Sequence, residues 1–296
     1  MSERVLITGS EGFTGRYLRA ELEAHGYQVV GLGAHGSSSE AYCQADLRNL
    51  ASVKQAAASL QPDYVVHLAA LAFVGHGNPN DFYDVNLVGT RNLLSALAEC
   101  SKTPKCVLIA SSANVYGNQQ GGVLDEQAAP APVNDYAVSK LAMEYMAKTW
   151  LTQLPITLVR PFNYTGLGQA NHFLLPKIVS HFRKRAPVIE LGNLDVWRDF
   201  SDVRAVVEAY RRLLECQPAG ETFNVASGGV HSLREILTMC SDLTGHDMEV
   251  KVNPAFVRNN EVKTLCGSAQ KLRECIGNWN TPALRETLQW MLVGKS

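Results

Sequence analysis

The feature that most limits the fold of this chain is the regular alternation, through its first half, of short apolar runs with longer helical stretches. Runs such as "RVLITG", "DYVVHLAA" and "KCVLIASS" are typical of strands, and stretches such as "NLVGTRNLLSALAEC" are typical of the helices between them. The strand runs are continuously apolar, as in sheets that helices cover on both faces. The sequence therefore predicts an α/β fold with a Rossmann-type, doubly wound parallel sheet. Ligands of such sheets bind at the carboxyl ends of the strands.

The second half of the chain has a looser rhythm. Beyond Pro161, glycine- and asparagine-containing loops precede further helices, one of which should begin with a capping box of Ser232 and Glu235. We predict that residues 1–162 form the doubly wound domain and that residues from roughly 196 to 227 return to it. Residues 163–195 and 228–296 are expected to form a smaller C-terminal lobe that binds substrate.

Composition and charge exclude several classes of protein. A chain of 296 residues that is 46% hydrophobic can bury a large core. Its net charge of -1 gives no basic stripe for nucleic acid and no polybasic membrane anchor. The opening "MSERVLITGS" has charged residues at once and only a short apolar run, so we expect neither a signal peptide nor a membrane span. These features favour a cytoplasmic protein without nucleic-acid or membrane partners.

The cysteines and histidines do not suggest a metal site. The seven cysteines are odd in number and form no CxxC pair, which argues against a disulfide framework or a zinc site. The eight histidines lack HxxxH and HExxH spacings. We expect reduced, mostly buried cysteines and no metal.

Three glycines follow the first predicted strand. Gly9, Gly12 and Gly15 stand in "TGSEGFTG", with Phe13 among them, immediately before a predicted helix. Glycines there permit a tight turn and let backbone N–H groups and the helix N-terminus approach a pyrophosphate. Spaced glycines also occur in ordinary turns, but the order strand, glycines, helix favours a dinucleotide. We therefore interpret residues 1–162 as an NAD(P)-binding domain.

Other residues are predicted to complete the cofactor site. Asp46, beside Leu47, could accept a hydrogen bond from an adenine amino group, and the small residues that end the strand "YVVH" allow close approach of the cofactor. A histidine such as His67 is more often a packed core residue than a ligand. The predicted set is Gly9, Gly12, Phe13, Gly15, His35, Asp46, Leu47, Leu68, Ala69, Ala70, Tyr136 and Lys140.

The choice between the two nicotinamide cofactors depends on the end of the second strand. There "GLGAHGSSS" has neither the acid that prefers a ribose 2'-hydroxyl nor a nearby arginine. The groups that could bind a 2'-phosphate are His35, Ser37, Ser38 and Arg16. This interpretation favours NADP(H) and leaves NAD(H) open.

A tyrosine and a lysine carry the predicted chemistry. Tyr136 and Lys140 are four residues apart in "YAVSK", so they share one face of a helix. A lysine ammonium should lower the pKa of a neighbouring phenol from about 10 towards the operating pH, which suits proton exchange at a carbonyl or carbinol oxygen. Ser112 in "SSANVYG" would hold the same oxygen. With ten tyrosines in the chain, the pair alone could occur by chance.

In this order and spacing, "TGSEGFTG", "SSANVYG" and "YAVSK" resemble the extended short-chain dehydrogenase/reductases that act on nucleotide sugars. The later stretches "RPFNYTGLGQ", "LGNLDVWRDFSDV" and "FNVASGG" resemble GDP-mannose 4,6-dehydratases and, more closely in length and pattern, GDP-4-keto-6-deoxymannose reductases. The resemblance implies Ser112, Tyr136 and Lys140 as the catalytic set. It also implies a homodimer in which the helices of "NLVGTRNLLSALAEC" and "YAVSKLAMEYMAKTWL" pair across the interface.

The same resemblance implies that Asn163, Arg198, Arg258 and Glu261 surround the nucleotide diphosphate and its ribose. An arginine fork suits a diphosphate, and a glutamate suits ribose hydroxyls. A salt bridge to Asp199 or Asp202 is the alternative explanation of Arg198. For Arg258 and Glu261 the alternative is an ion pair on a surface helix.

The stretch "SSANVYG" also bears on the reaction. Dehydration needs an acid or base close to the serine, and the dehydratases have an acidic residue there, whereas this chain has Ala113 and Asn114. Dehydration is therefore disfavoured. Reduction at C4 of a GDP-4-keto-6-deoxy-hexose, to GDP-D-rhamnose or its C4 epimer GDP-6-deoxy-D-talose, is the favoured prediction. A 4-epimerase with retained NAD and a non-catalytic nicotinamide-binding regulator are the alternatives.

Overall fold

A computed structural model describes residues 2–37, 41–72, 78–119, 122–256 and 263–294. Three sheets contain the strands of these ranges. In chain order the strands are β1 (Arg4–Thr8), β2 (Gln28–Gly33), β3 (Tyr42–Gln44), β4 (Tyr64–His67), β5 (Cys106–Ala110), β6 (Val123–Leu124), β7 (Ile156–Pro161), β8 (Asn163–Thr165), β9 (Val188–Leu191), β10 (Trp197–Asp202), β11 (Thr222–Val225), β12 (Val230–Ser232), β13 (Glu249–Val252) and β14 (Thr264–Gly267).

The helices lie mainly between these strands. They are α1 (Phe13–Ala24), α2 (Leu50–Leu60), α3 (Asn80–Phe82), α4 (Thr90–Ala98), α5 (Asp135–Lys148), α6 (Leu174–Arg183), α7 (Val203–Cys216), α8 (Leu233–Thr244), α9 (Gln270–Ile276) and α10 (Leu284–Val293). A π-helical segment, Tyr83–Gly89, joins α3 to α4, and single 3₁₀ turns cover Ala113–Tyr116 and Pro254–Phe256. Within the described ranges, no helix is both long and apolar enough to cross a bilayer.

The largest sheet has seven strands in the order β11-β7-β5-β4-β1-β2-β3, and all of its pairings are parallel. From β1 the chain adds β2 and β3 on one side, and then β4, β5, β7 and β11 on the other. Sheets of this kind bind nucleotides in the crevice at this switch point, at the carboxyl ends of β1 and β4. The predicted α/β fold with a doubly wound parallel sheet is confirmed.

Helices cover both faces of this sheet. On one face β1, β4 and β7 pack against α1 and α7, and on the other face α2, α4 and α5 form a second core. Central residues such as Val5, Leu6 and Ile7 are fully buried, and each contributes about 1.5–3 kcal/mol through removal of apolar surface from water. These two cores hold the strand ends rigidly in place.

A second sheet has five strands, four of which come from residues 163–267. It consists of β12, β10, β14 and β6, with β8 paired to β10, and a separate core packs α6, α8 and α10 around β9 and β10. The predicted capping box at Ser232 and Glu235 opens α8 as expected.

The structure differs from the predicted division of the chain at three places. β10 joins the second sheet, whereas α7 and β11, from the same predicted segment 196–227, pack in the first layer. β6 lies within residues 1–162 but pairs with β14, and α9 packs against α7 and β11. β6 has only two residues, too few for periodicity to show which sheet it enters, and the partners of β10 and α9 lie far from them along the chain.

Candidate active site

The glycine-rich turn connects β1 to α1. Gly9 has a φ of +72°, and a Cβ added there would lie 3.0 Å from the backbone of Ala69. A Cβ on Gly15 would lie 2.3 Å from the Gly9 carbonyl oxygen, so α1 could not pack so close to the turn with any larger residue. This tight approach brings the first turn of α1 to the end of β1.

The N-terminus of α1 has the properties of an anion site. Gly12 is its N-cap, no side chain of the described residues caps it, and its first turn contains no acidic residue. Free N–H groups and the helix dipole favour a diphosphate at such a position. The Ser111 hydroxyl, buried at the end of β5, has no hydrogen-bond partner among the described residues, and a polar ligand group could satisfy it. A nicotinamide dinucleotide therefore fits this crevice.

His67, the last residue of β4, is buried between two threonine hydroxyls. Thr8 Oγ1 lies 2.7 Å from His67 Nδ1 and accepts from the Ala69 N–H at 3.1 Å, while Thr90 Oγ1 lies 2.8 Å from His67 Nε2. Because Thr90 donates its proton to the Asn86 carbonyl, the Nε2–H of the ring must be the donor to Thr90. Burial lowers the pKa of His67 to about 3, so this is a neutral core histidine, as its type suggested.

The part of the predicted cofactor site that would hold the adenosine lies around the loop after β2. Tyr42 donates to the His35 carbonyl at 2.6 Å and Gln44 donates to the Ala34 carbonyl at 3.0 Å, so β3 holds this loop in place. Asp46 receives a two-pronged ion pair from Arg48, whose hydrogen bonds are the main cause of its lowered pKa.

The other residues that the sequence suggested for the cofactor site lie in different surroundings. Leu47 is buried beneath the loop, and Leu68 and Ala69 follow β4 at the crevice, with Ala70 next to them. Arg16, suggested for a 2'-phosphate, donates instead to the carbonyls of Glu11 and Gly168. Ser38 lies outside the described residues.

The three predicted catalytic residues come from two neighbouring elements. Ser112 follows β5, and Tyr136 and Lys140 lie one turn apart on α5, whose N-terminus is capped by Asn134. All three are buried, with 5%, 7% and 5% of their surface exposed. Lys140 Nζ donates to the Ala110 carbonyl at 2.7 Å, which ties α5 to the end of β5. The structure thus brings the set together.

The pKa of Tyr136 differs from the expectation. Burial raises it to about 12, opposed by a hydrogen bond from Ser112, and Lys140 is not among its causes. The expected lowering by Lys140 was therefore wrong for this geometry, because loss of water outweighs the ammonium, which is directed at the Ala110 carbonyl. Burial likewise lowers the pKa of Lys140 to about 8, opposed by Glu144.

A buried charged network that the sequence analysis did not identify supports α5. Arg160 on β7 donates to both carboxylate oxygens of Glu144 at 2.9 and 2.6 Å and to the Tyr116 hydroxyl at 3.0 Å. Tyr116 in turn donates to Asn224 on β11 at 2.7 Å. The sequence features that could have indicated this network are an arginine inside the apolar run "ITLVRP" and a glutamate, Glu144, one helical turn beyond Lys140.

Two of the predicted substrate residues, Asn163 and Arg198, lie on strands of the second sheet. Asn163 on β8 donates to the Asp199 carbonyl at 3.2 Å, and Arg198 on β10 donates to the Trp197 carbonyl at 2.9 Å. The carboxylates offered as alternative partners of Arg198 are engaged elsewhere. Asp199 accepts from Ser227, Gly228 and Gly267, and Asp202 accepts from Arg204. Arg258 and Glu261 lie outside the described residues.

Comparison with known proteins agrees with this geometry. The chain is 38% identical to GDP-6-deoxy-D-talose 4-dehydrogenase of Aggregatibacter actinomycetemcomitans, over 93% of this chain and 92% of that one. It is 33% identical to GDP-6-deoxy-D-mannose reductase of Pseudomonas aeruginosa, over 99% and 97%. The solved structure of RMD from Pseudomonas aeruginosa with NADPH superposes with a TM-score of 0.85 at 31% identity, over 98% of each chain.

A family model matches most of the chain as well. The description of that family is NAD dependent epimerase/dehydratase, and the match spans residues 5–226, from β1 to the residue after β11. The matched region contains the glycine-rich turn, Ser112, Tyr136 and Lys140 in the arrangement described above. With this span and these relatives, the chain belongs to the NAD dependent epimerase/dehydratase family.

Proposed function

We propose that this protein is an NAD(P)H-dependent oxidoreductase that reduces the C4 keto group of a GDP-4-keto-6-deoxy-hexose. The product would be GDP-D-rhamnose or its C4 epimer, GDP-6-deoxy-D-talose. The observation that carries the proposal is the cluster of Ser112, Tyr136 and Lys140 next to Ala113 and Asn114, which offer no acid for dehydration. Two relatives, named GDP-6-deoxy-D-talose 4-dehydrogenase and GDP-6-deoxy-D-mannose reductase, support it.

The protonation of Tyr136 suits this direction of reaction. With a pKa of about 12, the phenol holds its proton throughout the neutral range and can give it to an alkoxide that develops on the substrate oxygen. Ser112 supplies a second hydroxyl for the same oxygen, and the Lys140 ammonium adds positive charge nearby. The nicotinamide cofactor, when bound, supplies the hydride.

NADP(H) is the cofactor that the proposal favours, with NAD(H) as the other choice. The end of β2 presents the exposed His35 and no carboxylate of its own, which is compatible with a 2'-phosphate. A similar protein of known structure binds NADPH, while the family description names NAD. Dissociation constants for NADPH and NADH decide between them.

A direct assay distinguishes the proposed reaction from 4-epimerisation. The protein is incubated with GDP-4-keto-6-deoxymannose and an excess of NADPH or NADH, and absorbance at about 340 nm is followed while NMR identifies the sugar. Reduction consumes one cofactor per sugar, whereas an epimerase regenerates its cofactor in place. Epimerisation without net oxidation, or a 4-keto product from GDP-mannose, would contradict the proposal. A protein that binds NADPH without turning over any sugar would instead be a non-catalytic regulator.

Asn163, Arg198, Arg258 and Glu261 are proposed to surround the nucleotide diphosphate and its ribose. We predict that Arg198→Ala weakens GDP binding by about tenfold or more, because a charged hydrogen bond contributes about 1.5–3 kcal/mol. Since this contact is made equally before and during the reaction, KM should rise more than kcat falls. Calorimetry with GDP measures the effect.

A matched control is Arg234→Ala. Arg234 is an arginine of the same lobe, and its side chain is 64% exposed in an ion pair with Asp195. We expect it to leave GDP affinity unchanged. Equal affinities of wild type and Arg198→Ala for GDP would show that Arg198 has a purely structural role.

The homodimer is proposed on the exposed face of α5. Val138 and Tyr145 are seven residues apart on one face of this helix and are 37% and 61% exposed. Covering such side chains with a second copy would remove apolar surface from water. Val138→Asp combined with Tyr145→Lys should convert a dimer into a monomer of 32.3 kDa in light scattering.

The control for the dimer is Val293→Asp on α10, a residue that is 76% exposed and far along the chain from α5. It should leave the mass unchanged, and a wild type that runs as a monomer would contradict the proposal. A cytoplasmic location is proposed as well, because all seven cysteines are free and the cytoplasm keeps thiols reduced.

A further inference from the structure

The hydroxyl of Ser112 is held by one residue, Asn114. Ser112 Oγ accepts a hydrogen bond from the Asn114 backbone N–H at 3.1 Å and a second from Asn114 Nδ2 at 3.0 Å. The first bond is an ordinary N-cap, since Ser112 precedes the 3₁₀ turn Ala113–Tyr116. The second bond is not required by the cap.

Two accepted hydrogen bonds determine what the hydroxyl can still do. A serine hydroxyl has two lone pairs and one proton, so with both lone pairs engaged it can act only as a donor. Ser112 lies close enough to Tyr136 for hydrogen bonding by its hydroxyl to oppose the rise in the pKa of the phenol. The single proton of Ser112 is therefore the group that it can still offer to a substrate oxygen beside Tyr136.

We infer that Asn114 is a positioning residue that makes Ser112 an obligate hydrogen-bond donor to the substrate oxygen. This inference rests on the proposed function for the identity of that oxygen, but its geometric basis does not. Asn114 itself is exposed, while its neighbours Ala113 and Val115 are buried, so its side chain is not needed to fill the core.

The chemistry of the amide is the reason for this assignment. An asparagine at 114 gives Ser112 an N–H donor, whereas a carboxylate there would only accept and would draw the Ser112 proton towards itself. Asn114→Asp keeps the shape of the side chain and inverts the direction of the bond. The two substitutions Asn114→Ala and Asn114→Asp therefore separate shape from hydrogen-bond direction.

The expected kinetic order is wild type, then Asn114→Ala, then Asn114→Asp. Loss of one hydrogen bond that orients Ser112 should lower kcat by about tenfold. Redirecting the proton removes a donor from the developing alkoxide and should lower kcat by about 10²-fold. KM should stay within about twofold and thermal unfolding should be unchanged, because the side chain is exposed. A merely structural role would make the isosteric Asp variant the milder one, and that order would overturn the inference.

A double-mutant cycle tests whether Asn114 acts through Ser112. In the Ser112→Ala background, Asn114→Ala should cost almost nothing further, since the hydroxyl that it orients is gone. Additive losses in kcat would show that Asn114 acts independently of Ser112 and would overturn the inference.

A crystallographic comparison needs no substrate and so separates this inference from the proposed function. In Asn114→Asp, Ser112 Oγ should lie about 2.5–2.7 Å from the carboxylate, the distance of an O–H donor to a charged acceptor. In the wild type, Ser112 Oγ should keep its distances of 3.1 Å from the Asn114 backbone N and 3.0 Å from Asn114 Nδ2. A Ser112 Oγ that stays 3.0 Å or more from the carboxylate in the variant would overturn the inference even if the wild type reduces the sugar. The predicted displacement would sustain it even if the sugar proves to be the wrong substrate.

Discussion

Tyr136→Phe is expected to lower kcat by about 10²- to 10⁴-fold, the usual contribution of general acid catalysis. The ring keeps its place beside Phe82, 6.0 Å away in an edge-to-face contact, and only the transferable proton is lost. Steady-state kinetics with the keto sugar measures the loss. Fluorescence titration with NADPH should show unchanged cofactor binding.

The matched control is Tyr145→Phe on the same helix, whose side chain is 61% exposed and away from Ser112. It should retain wild-type turnover. A Tyr136→Phe variant within about threefold of the wild-type kcat would remove Tyr136 from the role of proton donor.

Glu144→Ala should lower the free energy of unfolding by about 3–5 kcal/mol, the usual cost of leaving one member of a buried ion pair without its partner. The Arg160 and Glu144 side chains are only 6% and 2% exposed, so the remaining guanidinium would stay buried without its carboxylate. Urea unfolding monitored by circular dichroism measures the change, compared at equal m-values.

An exposed ion pair provides the control for this prediction. Glu23→Ala removes the partner of Arg19 on α1, where the glutamate side chain is 50% exposed, and should cost less than about 1 kcal/mol. Equal losses in the two variants would show that the network around Glu144 does not stabilise the fold. If replacing both Glu144 and Arg160 with apolar residues restores the free energy of unfolding, the loss in Glu144→Ala comes from the unpaired charge of Arg160.

Local sequence patterns predicted the first sheet and indicated that Ser112, Tyr136 and Lys140 would lie close together. The glycine-rich turn and the Tyr136–Lys140 spacing each lie within a few residues of chain, and the physical requirements of a tight turn or a helix face are visible at that range. The continuous apolar character of β1, β4 and β5 indicated a sheet that helices cover on both faces.

Features that depend on distant parts of the chain could not be predicted in this way. β6 and β14 pair across more than a hundred residues of sequence, and neither short strand has enough periodicity to identify its partner. The Arg160–Glu144–Tyr116–Asn224 network draws on four separate elements, so its charged residues looked like isolated exceptions to their patterns.

The pKa of Tyr136 illustrates a third limit. The sequence places a lysine one turn away, which alone predicts a lower pKa, but the degree of burial that raises it to about 12 comes from packing. The role of Asn114 is similar, because its residue type excludes proton transfer while its contact with Ser112 is visible only in the structure.

Transfer of deuterium is the most direct test of the central claim, reduction at C4. The wild-type protein is given GDP-4-keto-6-deoxymannose with NADPH or NADH that carries deuterium at the reactive C4 of the nicotinamide, and the sugar product is analysed by NMR and mass spectrometry. Reduction at C4 predicts one deuterium per sugar, attached to C4, and one cofactor oxidised for each sugar reduced. A product without deuterium at C4, or deuterium found at C5 or C6, would contradict it.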